Sequence, residues 1–504
     1  MYLVDSGLNR NVTTIASVSG GSILNGVVGI KTDFRTVNGR EFRKAVHPML
    51  EHITGDCLFF YGSKTNRYLA FTLTAAARSL AAWSVAAGII VIHAVRSGFQ
   101  LLGLTPQTSE PMFTLWPIGA ALVAVFFGLN VGANAYAGQW NWWVGIPSLL
   151  AFAIGVGLIF YDLRATRFAW PMLPALATVS TVALLMTIVT VTAFGRRSHA
   201  AEGAMRRVHF GEATIADLGA HGGDQRTQHV ICATEIQSGL HAFFSDAFVY
   251  SYAYGVSPHV ETVPLSLAVQ ASAALPGGFA PRRINTANLD FEDVGQQPGP
   301  GKSAPMILMD GGVYDNMADQ WFVGLENRRN RWPAKYEAHL PPVDDLIVVN
   351  ASTGWIWQPL GSAAQLIRPL REIAAITRDQ SVLYNTVGRR RRAHLNDRWK
   401  CHAPQERGAF VEVNDNPLDR SSNELKPHVE QIAPRDGWAA LVERSRTYPT
   451  VLRKIEKQTA LEIMWHAYIV TAVSVNRFLH MPVSANDLST LENFNQQISG
   501  IATV

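Results

Sequence analysis

Apolar and polar positions follow two different patterns along the chain. Residues 111–161 and 168–195 contain no Asp, Glu, Lys or Arg. A bilayer core of about 30 Å requires about 20 apolar residues of helix, so these windows and the apolar run before them predict four transmembrane helices. We place them near 79–95, 113–134, 143–161 and 172–194. Buried helices of a large protein core are the alternative interpretation.

Outside that block, short apolar runs alternate with helical patterns. Predicted strands cover Thr227 to Glu235, Pro305 to Met309 and Asp345 to Val349, and helical patterns lie near 261–274 and 316–328. This alternation predicts an α/β sheet that is buried on both faces. After about residue 360 the pattern is mainly helical, and a long apolar segment near 449–479 predicts a core or interfacial helix.

An even number of spans returns the chain to its starting side, so the segments before and after them can build one domain. We predict four regions: 1–65 and 198–358 as two parts of the α/β domain, 66–197 as the transmembrane insertion, and 359–504 as a helical C-terminal region. Lys and Arg near the membrane number six on the side of the split domain and three on the other. This bias predicts a multi-pass membrane protein whose α/β domain faces the cytoplasm.

Charge and cysteine content narrow the possible functions. A net charge of +4 over 504 residues is too small for a general nucleic-acid binder, so no nucleic-acid partner is expected. Cys57, Cys232 and Cys401 lie far apart, and no His, Asp or Glu set has metal-ligand spacing. We therefore expect neither a disulfide scaffold nor a metal or other cofactor.

A candidate nucleophile follows the β-branched stretch that begins at Thr13. The sequence Ser17-Val-Ser19-Gly20-Gly21 leads from this stretch into an apolar, helix-like one. A serine at an abrupt strand-to-helix turn is the nucleophile elbow, which needs small residues two positions before and after it. Ser17 stands where that motif usually has Gly, and Gly20 would offer its N–H to an oxyanion at the helix N-terminus. Taken alone, an ordinary strand–helix turn is the more frequent explanation of such a pattern.

Two further segments follow the elbow in order. Residues 271–281 are Ala-Ser-Ala-Ala-Leu-Pro-Gly-Gly-Phe-Ala-Pro, and Asp310-Gly311-Gly312 ends an apolar run. Together with the elbow, they resemble the patatin-like phospholipase family, with its A-S-A-A-x-P-G-x-F-x-P and D-G-G/A motifs. The resemblance covers about residues 1–65 and 205–355. The apolar block and the C-terminal third lie outside it.

The resemblance implies a three-layer α/β/α hydrolase domain, here interrupted by the four-helix transmembrane insertion. It also implies a Ser–Asp dyad that cleaves ester bonds of phospholipids or lysophospholipids at a bilayer. Ser19 would attack the ester carbonyl, and Asp310 would accept its proton. Burial must raise the pKa of this carboxyl for it to act as a base. Gly311 and Gly312 would permit the tight turn that directs Asp310 at Ser19.

Several alternatives stay open. A Ser-His-Asp triad in the order Ser…Asp…His would use His394 or His428. A catalytically silent membrane protein that binds lipid or a partner is the competing function. We interpret Asp315 as a solvated loop acid and Asn316 as a brace of the turn or a helix cap. Residues 389–392, four consecutive arginines, fit anionic lipid headgroups and a solvated helix face equally well.

The start of the sequence departs from the family pattern. Patatin-like enzymes carry a glycine-rich loop of the G-G-G-x-R/K-G kind before the elbow, and its N–H groups form most of the oxyanion hole. Eighteen residues precede Ser19, and Gly7 is their only glycine. Met1 to Gly7 predict the end of a helix with a glycine stop. The expectation is an N-terminally truncated form of the working protein, with a degenerate, inactive relative as the alternative.

Overall fold

A computed structural model describes most of the chain outside the apolar block. The described residues are 1–55, 195–294, 304–352, 386–448, 454–484 and 488–499, without 224 and 277 but with scattered helical residues between 83 and 192. The chain divides into two compact units, Met1–Phe59 with Ala201–Val504, and Phe60–Ala200. The sheets and the predicted chemistry lie in the first unit.

The described strands are β1 (Thr14–Ser17), β2 (Gln228–Glu235), β3 (Leu240–Ser245), β4 (Phe248–Ser251), β5 (Gly255–Ser257), β6 (Arg282–Ile284), β7 (Met306–Asp310), β8 (Asp345–Asn350) and β9 (Arg407–Glu412). The described helices are α1 (Tyr2–Asp5), α2 (Gly20–Lys31), α3 (Gly39–Gly55), α4 (Arg197–Met205), α5 (Leu265–Ser272), α6 (Gln320–Val323), α7 (Leu325–Arg331), α8 (386–402), α9 (Pro417–Arg420), α10 (Lys426–Ile432), α11 (Arg435–Thr447), α12 (Lys457–Leu479) and α13 (Leu491–Ser499).

The main sheet joins β1 to β7. Its order is β5-β4-β3-β2-β7-β6, with β1 also paired to β2. Only the β1–β2 pair is parallel among the described pairs of this sheet. β2 to β5 form a meander because short turns join them, one of which holds Gly239 at a φ of 72°. Both faces of β2 and β4 are buried, so other elements cover the sheet on both sides.

One edge of β2 carries two strands placed end to end. β3 pairs with residues 231–235 of β2. On the other edge, β1 pairs with residues 228–231 and β7 with residues 233–235. Because β1 runs parallel to β2 and β7 runs against it, their carboxyl ends meet beside residue 232. The residues that follow β1 therefore lie next to the last residue of β7.

The core of the C-terminal region also includes Tyr2 of α1, whose ring lies 5.4 Å from that of Tyr468. β8 and β9 pair in parallel, and α12 carries a fully buried stripe that includes Ile469 and Val473. Trp438 of α11 stacks on Trp465 of α12 with ring centroids 4.8 Å apart. The long helix predicted near 449–479 is thus confirmed over Lys457–Leu479, and it is a core helix.

Several local predictions are confirmed. The three predicted strands are β2, β7 and β8, and β2 is buried along its whole length. The helical patterns correspond to α5 and to α6 with α7. The predicted helix end is α1, followed by Gly7 at a φ of 75°. The sequence missed β3 to β6 and, in the region predicted to be mainly helical, β9. The antiparallel character of the sheet was missed with β3 to β5, because tight hairpin turns join these strands without intervening helices.

The predicted fold class, with its four-helix transmembrane insertion, is wrong. No helix in the described part of the chain is both long enough and apolar enough to cross a membrane. This finding also contradicts the predicted multi-pass membrane location and the cytoplasmic orientation that was deduced from the four spans. The four predicted spans fall almost entirely outside the described residues. An uncharged apolar run suits a protein interior as well as a bilayer, so such composition does not distinguish the two.

Candidate active site

Ser19 occupies a strained turn between β1 and α2. Its backbone has a φ of 52° and a ψ of −130°, a conformation that costs a non-glycine residue about 1–3 kcal/mol. The Ser19 N–H donates to both the carbonyl oxygen of Ser272, at 3.2 Å, and the Ser272 hydroxyl, at 3.1 Å. α2 begins at the next residue. This is the backbone geometry of a nucleophile elbow.

A buried network of serine hydroxyl groups lies against the elbow. Ser272 Oγ donates to the carbonyl oxygen of Cys232 at 2.6 Å and lies 2.8 Å from Ser22 Oγ. Ser17 Oγ accepts from Asn25 Nδ2 at 2.8 Å and lies 3.2 Å from Ser22 Oγ. The residue that replaces the usual leading glycine thus adds a hydroxyl to this network.

The strand and helix leave room for Ser17. A β-carbon added at Gly21 would lie 3.9 Å from Ser17 Cβ, an ordinary van der Waals contact. The departure from the G-x-S-x-G pattern therefore leaves the elbow intact.

The structure brings Ser19 and Asp310 together. Ser19 Oγ donates to Asp310 Oδ2 at 2.8 Å, and Asp310 Oδ1 accepts from the Gly312 N–H at 2.8 Å. Thr234 Oγ1 donates to the carbonyl oxygen of Asp310 at 2.9 Å and fixes the end of β7. The Asp310 side chain is held by two hydrogen bonds and points at the candidate nucleophile.

The Asp310 carboxyl is buried, with 3% of the residue exposed, and this burial changes its pKa. Desolvation raises its pKa from an ordinary 3.8 to about 6, against the lowering effect of the bonds from Gly312 and Ser19. The carboxyl is therefore mostly ionised at pH 7 and is a far better proton acceptor than a solvated aspartate. The sequence argument required a raised pKa at this position.

Gly311 and Gly312 form the first turn after Asp310. A β-carbon at Gly311 would overlap the carbonyl oxygen of Cys232 and lie 2.9 Å from Val18 Cγ1. A β-carbon at Gly312 would lie 2.8 Å from Asn316 Oδ1. Close packing thus requires glycine at position 311, and Asn316 lies against the turn.

Gly20 is the first residue of α2. No atom lies within 4 Å of a β-carbon built there, so the space beside it is open. First-turn N–H groups of a helix have no partner within the helix and carry its positive dipole end. The assignment of the Gly20 N–H as an oxyanion donor stays a prediction.

The two candidate histidines of the triad are not brought to the dyad. His394 and His428 are both exposed. Within the described residues, the Asp310 carboxylate is bonded only to Ser19 and Gly312. No group of at least three His, Cys, Asp or Glu in the described part of the chain is arranged to hold a metal ion.

Asp315 is not a solvated loop acid, and this interpretation is corrected. It is 4% exposed, accepts from the N–H groups of Met317 and Gln320 and pairs with Arg391 at 2.7 Å. Arg391 also pairs with the buried Asp319 at 3.1 Å. At least this arginine of the run 389–392 therefore points into the protein.

Sequence reasoning missed Thr234 and Ser272 as supporting residues. Ser272 lies inside the matched segment 271–281, but no spacing rule connects it to Ser19, which is 253 positions away. The end of α5 packs against β2, where Ser272 Oγ donates to the Cys232 carbonyl oxygen, and this tertiary contact places Ser272 beside Ser19.

Ser272→Ala is expected to destabilise the protein by about 1–3 kcal/mol, because it leaves buried hydrogen-bonding groups without a partner. Ser266 on the same helix is the matched control, since its buried hydroxyl makes no hydrogen bond in the described structure. Ser266→Ala should be neutral or slightly stabilising. Urea unfolding midpoints of both variants measure the difference, and equal midpoints would contradict a supporting role for the Ser272 hydroxyl.

Comparison with known proteins identifies no family. No protein-family model matches the sequence, and no curated protein matches it. Among solved structures, the crystal structure of VipD from Legionella pneumophila aligns with 11% identity and a TM-score of 0.21, covering 100% of this chain and 76% of that chain. A likeness this slight assigns neither a fold nor a function.

Proposed function

We propose that the chain is a serine carboxylic-ester hydrolase that cleaves lipid acyl esters with Ser19 and Asp310. The observation that carries the proposal is a serine in a strained strand–helix turn whose Oγ lies 2.8 Å from a buried carboxylate. Nucleophile and base are within the hydrogen-bonding reach that such catalysis needs.

In the first step, Ser19 Oγ attacks the carbonyl carbon of the ester while its proton passes to Asp310 Oδ2. The carbonyl oxygen becomes negative and accepts a hydrogen bond from the Gly20 N–H at the positive end of α2. The tetrahedral intermediate collapses by breaking the carbon–oxygen bond to the alcohol. The departing alcohol takes the proton back from Asp310, which leaves an acyl group on Ser19.

In the second step, a water molecule gives its proton to Asp310 and attacks the acyl carbon. Collapse of this intermediate returns the proton to Ser19 Oγ and releases a carboxylic acid. One carboxyl thus acts twice as base and twice as acid, and no histidine is needed. A pKa of about 6 suits both roles because it lies close to neutral pH.

The surroundings of the dyad favour an apolar acyl group. Large apolar side chains are exposed on all three segments of the site: Leu24 on α2 at 41%, Leu275 just after α5 at 40%, and Val313 after Asp310 at 39%. Each of the three lies within five positions of Ser19, Ser272 or Asp310 in the sequence, and we propose that they form the surface that receives the acyl chain. Together with the patatin-like motifs, they support phospholipids or lysophospholipids as the substrate class.

A fluorophosphonate probe tests the nucleophile directly. Wild-type protein should be labelled covalently, and Ser19→Ala should not, because the probe reacts only with an activated serine. Hydrolysis of lysophospholipid and phospholipid micelles by the same two proteins tests the substrate class. Equal labelling of both proteins would overturn Ser19 as the nucleophile, and an unlabelled wild type would favour the catalytically silent alternative.

The pH dependence of hydrolysis is expected to follow Asp310. The base must be ionised in the free enzyme, so kcat/KM should fall tenfold per pH unit below an apparent pKa of about 6,. A solvated aspartate would place this limb near pH 4. The profile is measured with a soluble short-chain ester between pH 4 and 8. A limb near pH 4 would contradict the assignment of the buried Asp310 as the base.

A further inference from the structure

A cavity with several polar side chains in its wall lies beside β3. Its volume is about 250 Å³, and Tyr250, Tyr314, His241 and Arg328 contribute to its wall. His241 pairs with Thr234 across the sheet, whereas Asp310 pairs with the neighbouring Ala233. Because side chains alternate between faces along a strand, His241 lies on the sheet face opposite to that of Asp310. The cavity is therefore separate from the Ser19 site.

His241 lacks partners for both of its ring nitrogens. The residue is 8% exposed, and neither Nδ1 nor Nε2 makes a hydrogen bond in the described structure. Its ring stacks on Phe243 at 4.4 Å between centroids and lies 5.3 Å from Tyr314. Burial lowers the pKa of His241 to about 3, so the neutral ring offers one donor and one acceptor. Buried polar groups normally have partners.

Arg328 is a buried cation without a carboxylate partner among the described residues. It is 5% exposed, and its Nε has no hydrogen-bond partner there. The guanidinium lies over the rings of Trp321 and Phe243, at 4.4 and 5.1 Å, and donates to the Trp321 carbonyl oxygen. Burial lowers its pKa only to about 10, so it stays charged at pH 7.

Arg282 of the same unit differs from Arg328 because it has a carboxylate partner. Arg282 is as buried as Arg328, at 3% exposure, and pairs with the carboxylate of Glu202. A buried charge is costly unless a counter-ion accompanies it. The cavity at Arg328 offers the place where such a counter-ion would sit.

We propose that this cavity binds the phosphate group of a small phosphate ester. Arg328 would supply the positive charge and guanidinium N–H donors, and the neutral ring of His241 would supply one further N–H donor. A phosphate group presents several acceptor oxygens, and guanidinium groups pair well with such oxygens. The cavity is below the usual size of about 300–1,000 Å³ for drug-sized ligands, so the ester's alcohol is small and packs against Tyr250 and Tyr314.

Titration calorimetry with glycerol 3-phosphate, inorganic phosphate and glycerol tests the proposal. We expect the two phosphates to bind and glycerol not to bind. Arg328→Met should weaken phosphate binding at least ~30-fold, as truncation of a buried charge partner does. Ser19→Ala should bind as wild type, which separates this site from the proposed hydrolase. Absence of phosphate binding by wild type, or unchanged binding by Arg328→Met, would overturn the proposal.

Two further arms make the result specific. His241→Phe keeps the stacking on Phe243 but removes both ring nitrogens, so glycerol 3-phosphate should raise the melting temperature of wild type and not of this variant. If Arg328→Met does not fold, the His241→Phe result alone tests phosphate binding in this cavity.

Arg10→Met is the control for loss of an arginine, because it changes an exposed arginine, and it should bind as wild type. Vesicles of phosphatidic acid and phosphatidylcholine that compete with glycerol 3-phosphate would identify a lipid headgroup as the source of the phosphate, and vesicles that do not compete would identify a free ester.

Discussion

Asp310→Asn should reduce ester hydrolysis at least ~10²-fold, the lower range for loss of a general acid–base group. Asparagine keeps the size of the side chain and can still accept from the Gly312 N–H, but it cannot take the proton of Ser19. Initial rates with a lysophospholipid measure the loss. A variant that keeps a tenth or more of the wild-type rate would contradict Asp310 as the base.

Histidine variants provide the control for this assignment. His394 and His428 are exposed, and the described hydrogen bonds of the Asp310 carboxylate go to Ser19 and Gly312. His394→Ala and His428→Ala should therefore retain nearly the full rate. If either were as inactive as Asp310→Asn, a Ser-His-Asp triad would replace the dyad.

The same Asp310→Asn variant should be more stable than wild type at neutral pH. A carboxyl whose pKa is 3.8 when unfolded and about 6 when folded favours the folded state only while it is protonated. Wild type therefore loses stability as pH rises from about 4 to 6, by up to roughly 3 kcal/mol. The amide does not ionise, so the gain should be present at pH 7.5 and vanish near pH 4. Urea unfolding at both pH values measures it, and a less stable variant at pH 7.5 would contradict the unfavourable burial of the charge.

Local sequence patterns predict the parts of the site that are local. The elbow at Ser19 and the turn at Gly311 each depend on residues within a few positions, and small residues mark both. The interpretation of Asp315 as a solvated acid was wrong because its burial depends on a residue that is distant in the sequence. Asp315 pairs with Arg391, which lies 76 positions further along the chain. No residue near Asp315 in the sequence predicts this contact.

The arrangement of the site depends on register, which local patterns do not contain. Ser19 and Asp310 meet because β1 and β7 share one edge of β2 and end on either side of residue 232. The sequence predicted β2 and β7 but neither their direction nor the meander β2–β5. The membrane prediction failed on a related ambiguity, since lack of charge over a long window specifies an apolar environment without saying whether lipid or protein provides it.

Gly311→Ala tests the packing that fixes this meeting point. A β-carbon there would overlap the carbonyl oxygen of Cys232 and approach Val18 Cγ1 to 2.9 Å. The Cys232 oxygen belongs to the backbone of the buried central strand, so neither neighbour can yield easily. Overpacking of a core costs about 1–3 kcal/mol, and we expect a loss at the upper end of this range. Displacing Asp310 by about 1 Å should also lower the hydrolysis rate about 10²-fold.

Gly20→Ala is the matched control, because a β-carbon there meets no atom within 4 Å and alanine is the better helix former by about 1 kcal/mol. This control should be as stable as wild type or slightly more so. Urea unfolding of both glycine variants measures the difference in stability, and the labelling rate of Gly311→Ala with the fluorophosphonate measures the alignment of Ser19 with Asp310. If Gly311→Ala matched Gly20→Ala in stability and wild type in labelling rate, the close approach of the turn to β2 would be refuted. Normal stability with slow labelling would instead mean that the turn relaxes at the expense of the dyad, and the strain at position 311 would then appear in catalysis alone.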